Sequence, residues 1–220
     1  LYNANDWSSP VAQGNPNAAV NVFDAVRKGD YVYLAGSDNG VVGIAKVNDG
    51  QLSTNSNSII DDLHNLGMVS KDDGLQAWCR ALSLDGDYLY ASAVISDASW
   101  NYSNGYLLKY AIDSSTGELT LTSAAKMGVG QQYSSIAKYN NLFFNAGLGG
   151  MWDQGVQGSN FGTSLNMAEL DSNGEFIYKS DNETNTIVIP SNAQGYTLRD
   201  VKVMPDGTAY IFSNDEMVGM

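Results

Sequence analysis

Short runs of aromatic and β-branched residues alternate with Gly-, Asn- and Asp-containing turns along most of this chain. In residues 30–52, the run 31–34 is followed by Asn39-Gly40, by the apolar run 41–47 and by Asp49-Gly50. Aromatic and β-branched residues suit a pleated strand. Asn-Gly and Asp-Gly supply the positive φ angles that tight hairpins need. The pattern therefore predicts consecutive antiparallel strands joined by tight turns.

This arrangement recurs along the sequence. Its further copies lie in residues 87–119, in residues 141–176 and from residue 205 onward. An additional strand-like run precedes each copy, at residues 22–26, 80–84, 135–139 and 199–203. Four antiparallel strands per repeat are typical of a β-propeller blade, and we name them a to d from the centre outward.

The predicted fold is all-β, a β-propeller of four-stranded antiparallel blades. Three full blades and a partial fourth are expected at approximately residues 20–58, 77–125, 133–180 and 196–220. We treat residues 1–220 as a single propeller domain or a part of one. A larger ring, completed by remaining blades or by another copy of the chain, is preferred. The alternative is a small four-bladed ring in which the N-terminal segment completes the last blade.

One segment departs from the strand pattern. The apolar spacing in residues 58–66 allows one or two helical turns, with Ser58 as the N-cap and Asp61 three residues later. Alternation within the strands predicts a core between the blades. Its expected members are Tyr31, Tyr33, Val42, Ile44, Leu82, Leu84, Tyr88, Tyr90, Leu108, Tyr110, Ile136, Phe143, Leu165 and Tyr210.

The long loops fall on one face of the predicted ring. Turns between strands a and b and between c and d are short, whereas the b–c loops and the connections between blades are long, as in residues 148–161. Long loops on a rigid scaffold usually carry function. Five aromatic residues lie in or beside them: Trp78, Trp100, Tyr102, Trp152 and Phe161. They could bind a protein or a glycan, or they could pin the loops onto the scaffold, and the second interpretation is favoured.

Charged residues are predicted where strand a enters the central channel. They are Asp24, Arg80, Arg199 and Asp200. Such a ring could hold a polar ligand or a metal, or it could consist of hydrated ion pairs, which we favour.

Composition narrows the classes of function. The net charge of −13 and the total of 11 Lys and Arg residues argue against nucleic-acid binding and against a basic membrane-binding patch. No apolar run is long enough to insert into a membrane. Cys79 is the only cysteine, so no disulfide can form within one chain. We expect an extracellular or cell-surface location, with the periplasm possible.

Catalytic motifs are missing from the sequence. His64 is the only histidine, which excludes a multi-histidine metal site. There is no phosphate-binding loop, nucleotide fingerprint or nucleophile elbow. We therefore predict no catalytic residue, no metal and no cofactor. Calcium at residues 171–175 is the open alternative, although turn chemistry explains that acidic segment better.

The repeats resemble the blades of bacterial lactonase-like and LVIVD-type surface propellers. The resemblance is carried by residues 29–35 with 39–42 and by the hairpins 113–120 and 171–176, and it covers most of residues 20–215. Lactonase-type relatives imply catalysis or metal binding by channel-mouth acids with His or Arg. Only Asp24, Arg80, Arg199 and Asp200 could correspond to them here. The expected function is a non-catalytic binding or assembly module of a secreted or cell-surface prokaryotic protein. A lactonase-like hydrolase acting at the channel mouth is the alternative.

Overall fold

The structure is a computed structural model that describes part of the chain. The described residues are 2–3, 6–10, 21–37, 41–46, 53–70, 74–99, 102–129, 132–148, 164–177, 186–188 and 197–214. Within them the structure is almost entirely antiparallel β-sheet with one short helix. The predicted fold class is confirmed by this architecture.

The strands form consecutive sheets in the order of the chain. A leading pair comprises β1 (Tyr2–Asn3) and β2 (Asp6–Pro10). Blade one comprises β3 (Asn21–Lys28), β4 (Tyr31–Ser37), β5 (Val41–Lys46) and β6 (Ser53–Ser58). Blade two comprises β7 (Gln76–Asp85), β8 (Tyr88–Ser96), β9 (Tyr102–Ile112) and β10 (Leu119–Val129). Blade three comprises β11 (Gln132–Tyr139), β12 (Leu142–Leu148), β13 (Ser164–Glu169) and β14 (Thr186–Val188). The last sheet, blade four, pairs β15 (Thr197–Val203) with β16 (Ala209–Asn214).

The N-terminal strands do not complete blade four within the described residues. β1 and β2 pair with each other in a separate two-stranded sheet, and β15 and β16 form another. The strand pairing of the described residues does not decide between a larger ring and a small ring closed by the N-terminal segment, so both stay predictions.

The single described helix forms where the sequence predicted it. Helix α1 spans Ile59–Asn65, and the Oγ of its N-cap Ser58 accepts a hydrogen bond from the Asp61 N–H at 3.2 Å. Ile59 and Leu63 are fully buried in the cluster formed by blades one and two. The helix is therefore held by its cap and by one apolar face.

The core lies between neighbouring blades because successive strand residues point to opposite sheet faces. In β8, Leu89 packs into the cluster shared with blade one, whereas the adjacent Tyr90 packs against Phe143 and Phe176 of blade three. The Tyr90 and Phe143 ring centroids are 4.4 Å apart. Both faces of blade two are therefore buried, as a propeller requires.

Most core predictions with described side chains are confirmed. The buried members are Tyr31, Tyr33, Leu82, Tyr90, Leu108, Tyr110 and Phe143, and Leu84 and Ile136 are partly buried. The side chains of Val42, Ile44 and Leu165 lie outside the described set.

Two core predictions are wrong. Tyr88 is 38% exposed because it begins β8 beside the a–b turn, where the Lys109 Nζ lies 4.1 Å from its ring centroid. Tyr210 is 54% exposed because it lies on the side of blade four that faces away from blade three.

Candidate functional site at the mouth of blades one and two

A β-bulge near the start of strand a positions the candidate residues. The register between strands a and b shifts between Val22 and Asp24, and between Cys79 and Ala81. The extra residues are Phe23 and Arg80, and blades three and four shift at the corresponding places. A bulge redirects side chains at the end of a sheet. Phe23, Asp24, Trp78 and Arg80 form what we call the mouth cluster.

The carboxylate of Asp24 joins two blades. Its Oδ2 accepts a hydrogen bond from the Leu82 N–H of blade two at 2.8 Å, and its Oδ1 accepts one from the Ala25 N–H at 2.8 Å. Both oxygens are thus engaged by backbone amides. Such charge-assisted bonds are stronger than neutral ones, so Asp24 acts as a link between blades.

The same link recurs between blades three and four. The Ser135 Oγ accepts a hydrogen bond from the Val201 N–H at 3.0 Å. The two acceptors, Asp24 and Ser135, each directly follow the bulged residue of their blade. The two donors, Leu82 and Val201, each lie two residues after the bulged residue of theirs. The position after the bulge therefore supplies an acceptor to the next blade in blades one and three, whereas blade two has Ala81 at this position.

Arg80 lies against two aromatic rings. Its guanidinium carbon is 3.8 Å from the ring centroid of Phe23 in blade one and 5.5 Å from that of Trp78. Both distances are within the range of a cation–π interaction. Phe23 is 42% exposed, whereas Trp78 is 7% exposed and its Nε1–H donates to the Ser96 Oγ at 3.3 Å. The cluster therefore has one solvent-facing ring, one buried ring and a cation between blades.

The other predicted residues are dispersed or undescribed. The Asp200 Oδ1 accepts from the Val201 N–H at 2.9 Å, and its Oδ2 lies 3.2 Å from the Lys202 Nζ. Trp100, Trp152 and Phe161 lie outside the described residues, as do the side chains of Tyr102 and Arg199. Of the predicted site, the structure brings together Asp24, Trp78 and Arg80.

Phe23 was missed by the sequence analysis. It was assigned to strand a of blade one and not to the candidate site. The available signal was its place in the repeat, since the bulged position holds Phe23, Arg80, Ser134 and Arg199 in successive blades. Aligning the repeats on that position would have grouped it with the two arginines.

The Cys79 thiol is buried and has low reactivity. Cys79 is fully buried, and burial followed by the nearby Asp24 charge raises the pKa of its thiol to about 12. The thiol therefore stays protonated at neutral pH and is a poor nucleophile. In the described part of the chain, no three His, Cys, Asp or Glu side chains group closely enough to hold a metal ion.

The acidic hairpins use their carboxylates to close turns. The Asp171 Oδ1 accepts from the Glu175 N–H at 3.0 Å and from the Asn173 N–H at 2.8 Å, and these bonds lower its pKa. In the corresponding turn of blade two, bonds from Ser115 and Thr116 lower the pKa of Asp113 to about 2. Turn chemistry accounts for this segment, and calcium binding there remains the untested alternative.

No helix among the described residues is long and apolar enough to cross a membrane.

Comparison with known proteins adds evidence on the fold. No protein-family model matches the sequence, and a search of curated proteins finds no similar sequence. A crystal structure of a protein from Lactobacillus plantarum has a TM-score of 0.50 at 15% identity, covering 84% of this chain and 48% of its own. The periplasmic gluconolactonase PpgL of Pseudomonas aeruginosa has a TM-score of 0.51 at 15% identity, and the match covers 76% of this chain and 40% of PpgL. The Nup133 β-propeller domain of Vanderwaltozyma polyspora has a TM-score of 0.48 at 14% identity, and the match covers 92% of this chain and 56% of that domain.

The chain spans less than half the length of the first two of these proteins. Identities this low reveal the fold alone. The lactonase-like part of the predicted resemblance is therefore confirmed at the level of fold, while the LVIVD-type part stays a prediction. The consecutive antiparallel four-stranded sheets, together with the structural likeness to PpgL, show that the chain has a β-propeller fold.

Proposed function

We propose that this chain is a non-catalytic binding module of a secreted or cell-surface prokaryotic protein, with its ligand on the long-loop face beside the mouth cluster. The engagement of Asp24 carries the proposal, since both of its oxygens accept backbone hydrogen bonds at 2.8 Å. A general base needs an oxygen that can reach the substrate or a water molecule. Asp24 already has a structural task that uses both oxygens.

The mouth cluster offers binding chemistry. The 42%-exposed ring of Phe23 can pack against the apolar C–H face of a sugar ring. Arg80 presents a planar set of N–H donors, which suits hydroxyl and carboxylate oxygens. The net charge of −13 repels anionic ligands at long range. We therefore favour a neutral glycan over an acidic one, with a protein ligand as the other expected partner.

The test is a glycan-array screen followed by calorimetric titration of the strongest binder. Phe23→Ala should weaken binding about tenfold or more, equivalent to about 1.4 kcal/mol. The matched control is Ile177→Ala, which removes a 40%-exposed apolar side chain two residues after the Asp171–Glu175 turn, away from the mouth cluster. That turn lies within the connection from β13 to β14, which is longer in blade three than the sequence predicted. The control should bind like the wild type. Equal affinity of the wild type and Phe23→Ala, or no binding to any glycan or surface protein, would reject the proposal.

Lactone hydrolysis is the competing function, supported by the likeness to PpgL at a TM-score of 0.51. Hydrolysis needs a positioned base or a metal-bound water. Turnover of a gluconolactone that depends on a divalent metal, and that is abolished in both Asp24→Asn and Asp200→Asn, would establish the hydrolase in place of the binding module.

A further inference from the structure

Two polar side chains in blades two and three are fully buried without a hydrogen-bond partner. Ser92 of β8 and Asn145 of β12 are each 0% exposed. Within the described part of the chain, no group hydrogen-bonds to the Ser92 Oγ or to the Oδ1 and Nδ2 of Asn145. A buried polar group without a partner is costly, and native proteins rarely leave one unsatisfied. These atoms therefore call for a ligand that can hydrogen-bond to them.

Strand alternation directs both side chains into the space between the two blades. In β8, Tyr90 packs against blade three, and Ser92 lies two residues further along the strand. In β12, Phe143 packs against blade two, and Asn145 lies two residues further along. Residues two apart in a strand share a face. Ser92 therefore faces blade three, and Asn145 faces blade two.

The two side chains also lie at the same level of the interface. The Tyr90 and Phe143 rings are in contact, with their centroids 4.4 Å apart. Both b strands run from the a–b turn toward the b–c loop, so a step of two residues beyond each ring leads about 7 Å in the same direction. Ser92 and Asn145 are therefore neighbours across the interface, on the long-loop side of the two rings.

This level of the interface is where other blades carry the acceptor of the inter-blade link. Ser92 lies directly opposite Ala81 in the sheet, and Ala81 occupies the position of Asp24 and Ser135. Those two side chains accept a backbone N–H of the following blade. The side chain of Ala81 ends at its methyl group, which cannot accept a hydrogen bond. Blade two therefore supplies no side-chain acceptor for this link.

The matching donor position is present in blade three. Ile136 lies two residues after the bulged residue of its blade, as Leu82 and Val201 do in theirs. The N–H groups of Leu82 and Val201 donate to the preceding blade. Ile136 also lies directly opposite Asn145 in the sheet. The repeat thus directs the Ile136 N–H toward Ala81, at the same level of the interface.

We propose that one buried water molecule binds between blades two and three, accepting the Ile136 N–H and bonding to Ser92 and Asn145. It supplies the oxygen that Asp24 and Ser135 provide between the other blades. A buried water typically makes about three hydrogen bonds, and the N–H, the hydroxyl and the amide offer that number. The N–H donor disfavours a cation, and the net charge of −13 disfavours an anion. Water both donates and accepts, which suits this mixed set of groups.

Water–amide Overhauser spectroscopy of isotope-labelled protein tests the proposal. A long-lived bound water should give cross-peaks at the water frequency to the Ile136 N–H and the Asn145 side-chain amide, with opposite signs in NOE and ROE spectra. The Leu82 N–H is the internal control and should show no such cross-peak, because its acceptor is the Asp24 carboxylate, which has no exchangeable proton at neutral pH. The Ile136 cross-peak should persist in Ser92→Ala, which excludes relay through the serine hydroxyl.

Replacing Ala81 sharpens the test. Ala81→Asp supplies the acceptor that Asp24 provides in blade one, so it should displace the water and abolish both cross-peaks. The matched control Ala98→Asp adds the same charge at an exposed alanine in the b–c loop of blade two and should keep them.

A crystal structure of the wild type decides the question independently of any variant. It should show one water within hydrogen-bond distance of the Ile136 N–H, the Ser92 hydroxyl and the Asn145 amide. A direct Ser92–Asn145 hydrogen bond without a water, or a chloride or metal ion at this place, overturns the proposal. So does a wild-type spectrum without the Ile136 cross-peak, or a cross-peak that survives in folded Ala81→Asp.

Discussion

Replacing Asp24 tests the inter-blade link most sharply. Asp24→Ala removes the acceptor that joins blade one to the Leu82 N–H at 2.8 Å. Leu82 is only 6% exposed, so water replaces the lost partner poorly. Ala25 is exposed, and its N–H can bond to water instead. The stability loss should therefore arise from the contact with blade two.

The size of the effect follows from the kind of bond. A hydrogen bond to a charged group contributes about 1.5–3 kcal/mol, and a buried donor left without an acceptor has a similar cost. We expect Asp24→Ala to lower the free energy of unfolding by about 2–3 kcal/mol. Asp24→Ser should lose about 1 kcal/mol less, because a hydroxyl already performs this task at Ser135.

Urea denaturation followed by tryptophan fluorescence measures these losses. The matched control is Asp87→Ala, which removes a different contact between blades one and two. Its carboxylate lies 2.6 Å from the Lys28 Nζ, but its side chain is 82% exposed. Exposed ion pairs contribute about 0–1 kcal/mol. If Asp24→Ala costs no more than Asp87→Ala, or if Asp24→Ser is as unstable as Asp24→Ala, the reasoning is refuted.

Three further substitutions test the core and the turns. Gly117→Ala should lower the melting temperature more than the control Gly86→Ala. Both glycines have positive φ, but only at Gly117 would an added Cβ clash with the Tyr31 ring. Equal losses in melting temperature would contradict this packing. Phe143→Ala should lower the free energy of unfolding, measured by urea denaturation, by about 3–5 kcal/mol, because the ring is fully buried between blades. A decrease below about 1 kcal/mol would contradict that burial. The lowered pKa of Asp113, about 2, means that its contribution to stability is present above about pH 4 and is lost as pH falls toward 2. Asp113→Asn should therefore flatten the dependence of the urea midpoint on pH in that window, and an unchanged slope would contradict the turn bonds.

Features that depend on nearby residues could be predicted from the sequence. The cap of α1 joins Ser58 to Asp61, three residues away. The turns at Gly29 and Gly86 have φ angles of +58° and +57°, as expected for glycine in a tight turn. Tyr33 and Tyr90 are buried because strand alternation directs them toward the next blade. Short-range rules therefore recover the strands and much of the core.

Features that join blades could not be predicted in the same way. The Asp24 acceptor and the Leu82 donor are 58 residues apart, and no local pattern pairs them. The stack of Arg80 on Phe23 depends on how two bulges face each other. Tyr210 has the same local sequence pattern as its buried equivalents, yet it is exposed because its burial depends on the neighbouring blade and not on its own strand.

Gluconolactone turnover is the measurement that tests the central claim most directly. The claim is that the described mouth residues hold blades together and bind a ligand, without acting as a base. Hydrolysis should be followed with the wild type and Asp24→Asn, with and without added divalent cations. The binding account predicts that neither protein exceeds the spontaneous rate under any of these conditions. Metal-stimulated turnover by the wild type that disappears in a folded Asp24→Asn variant would contradict it.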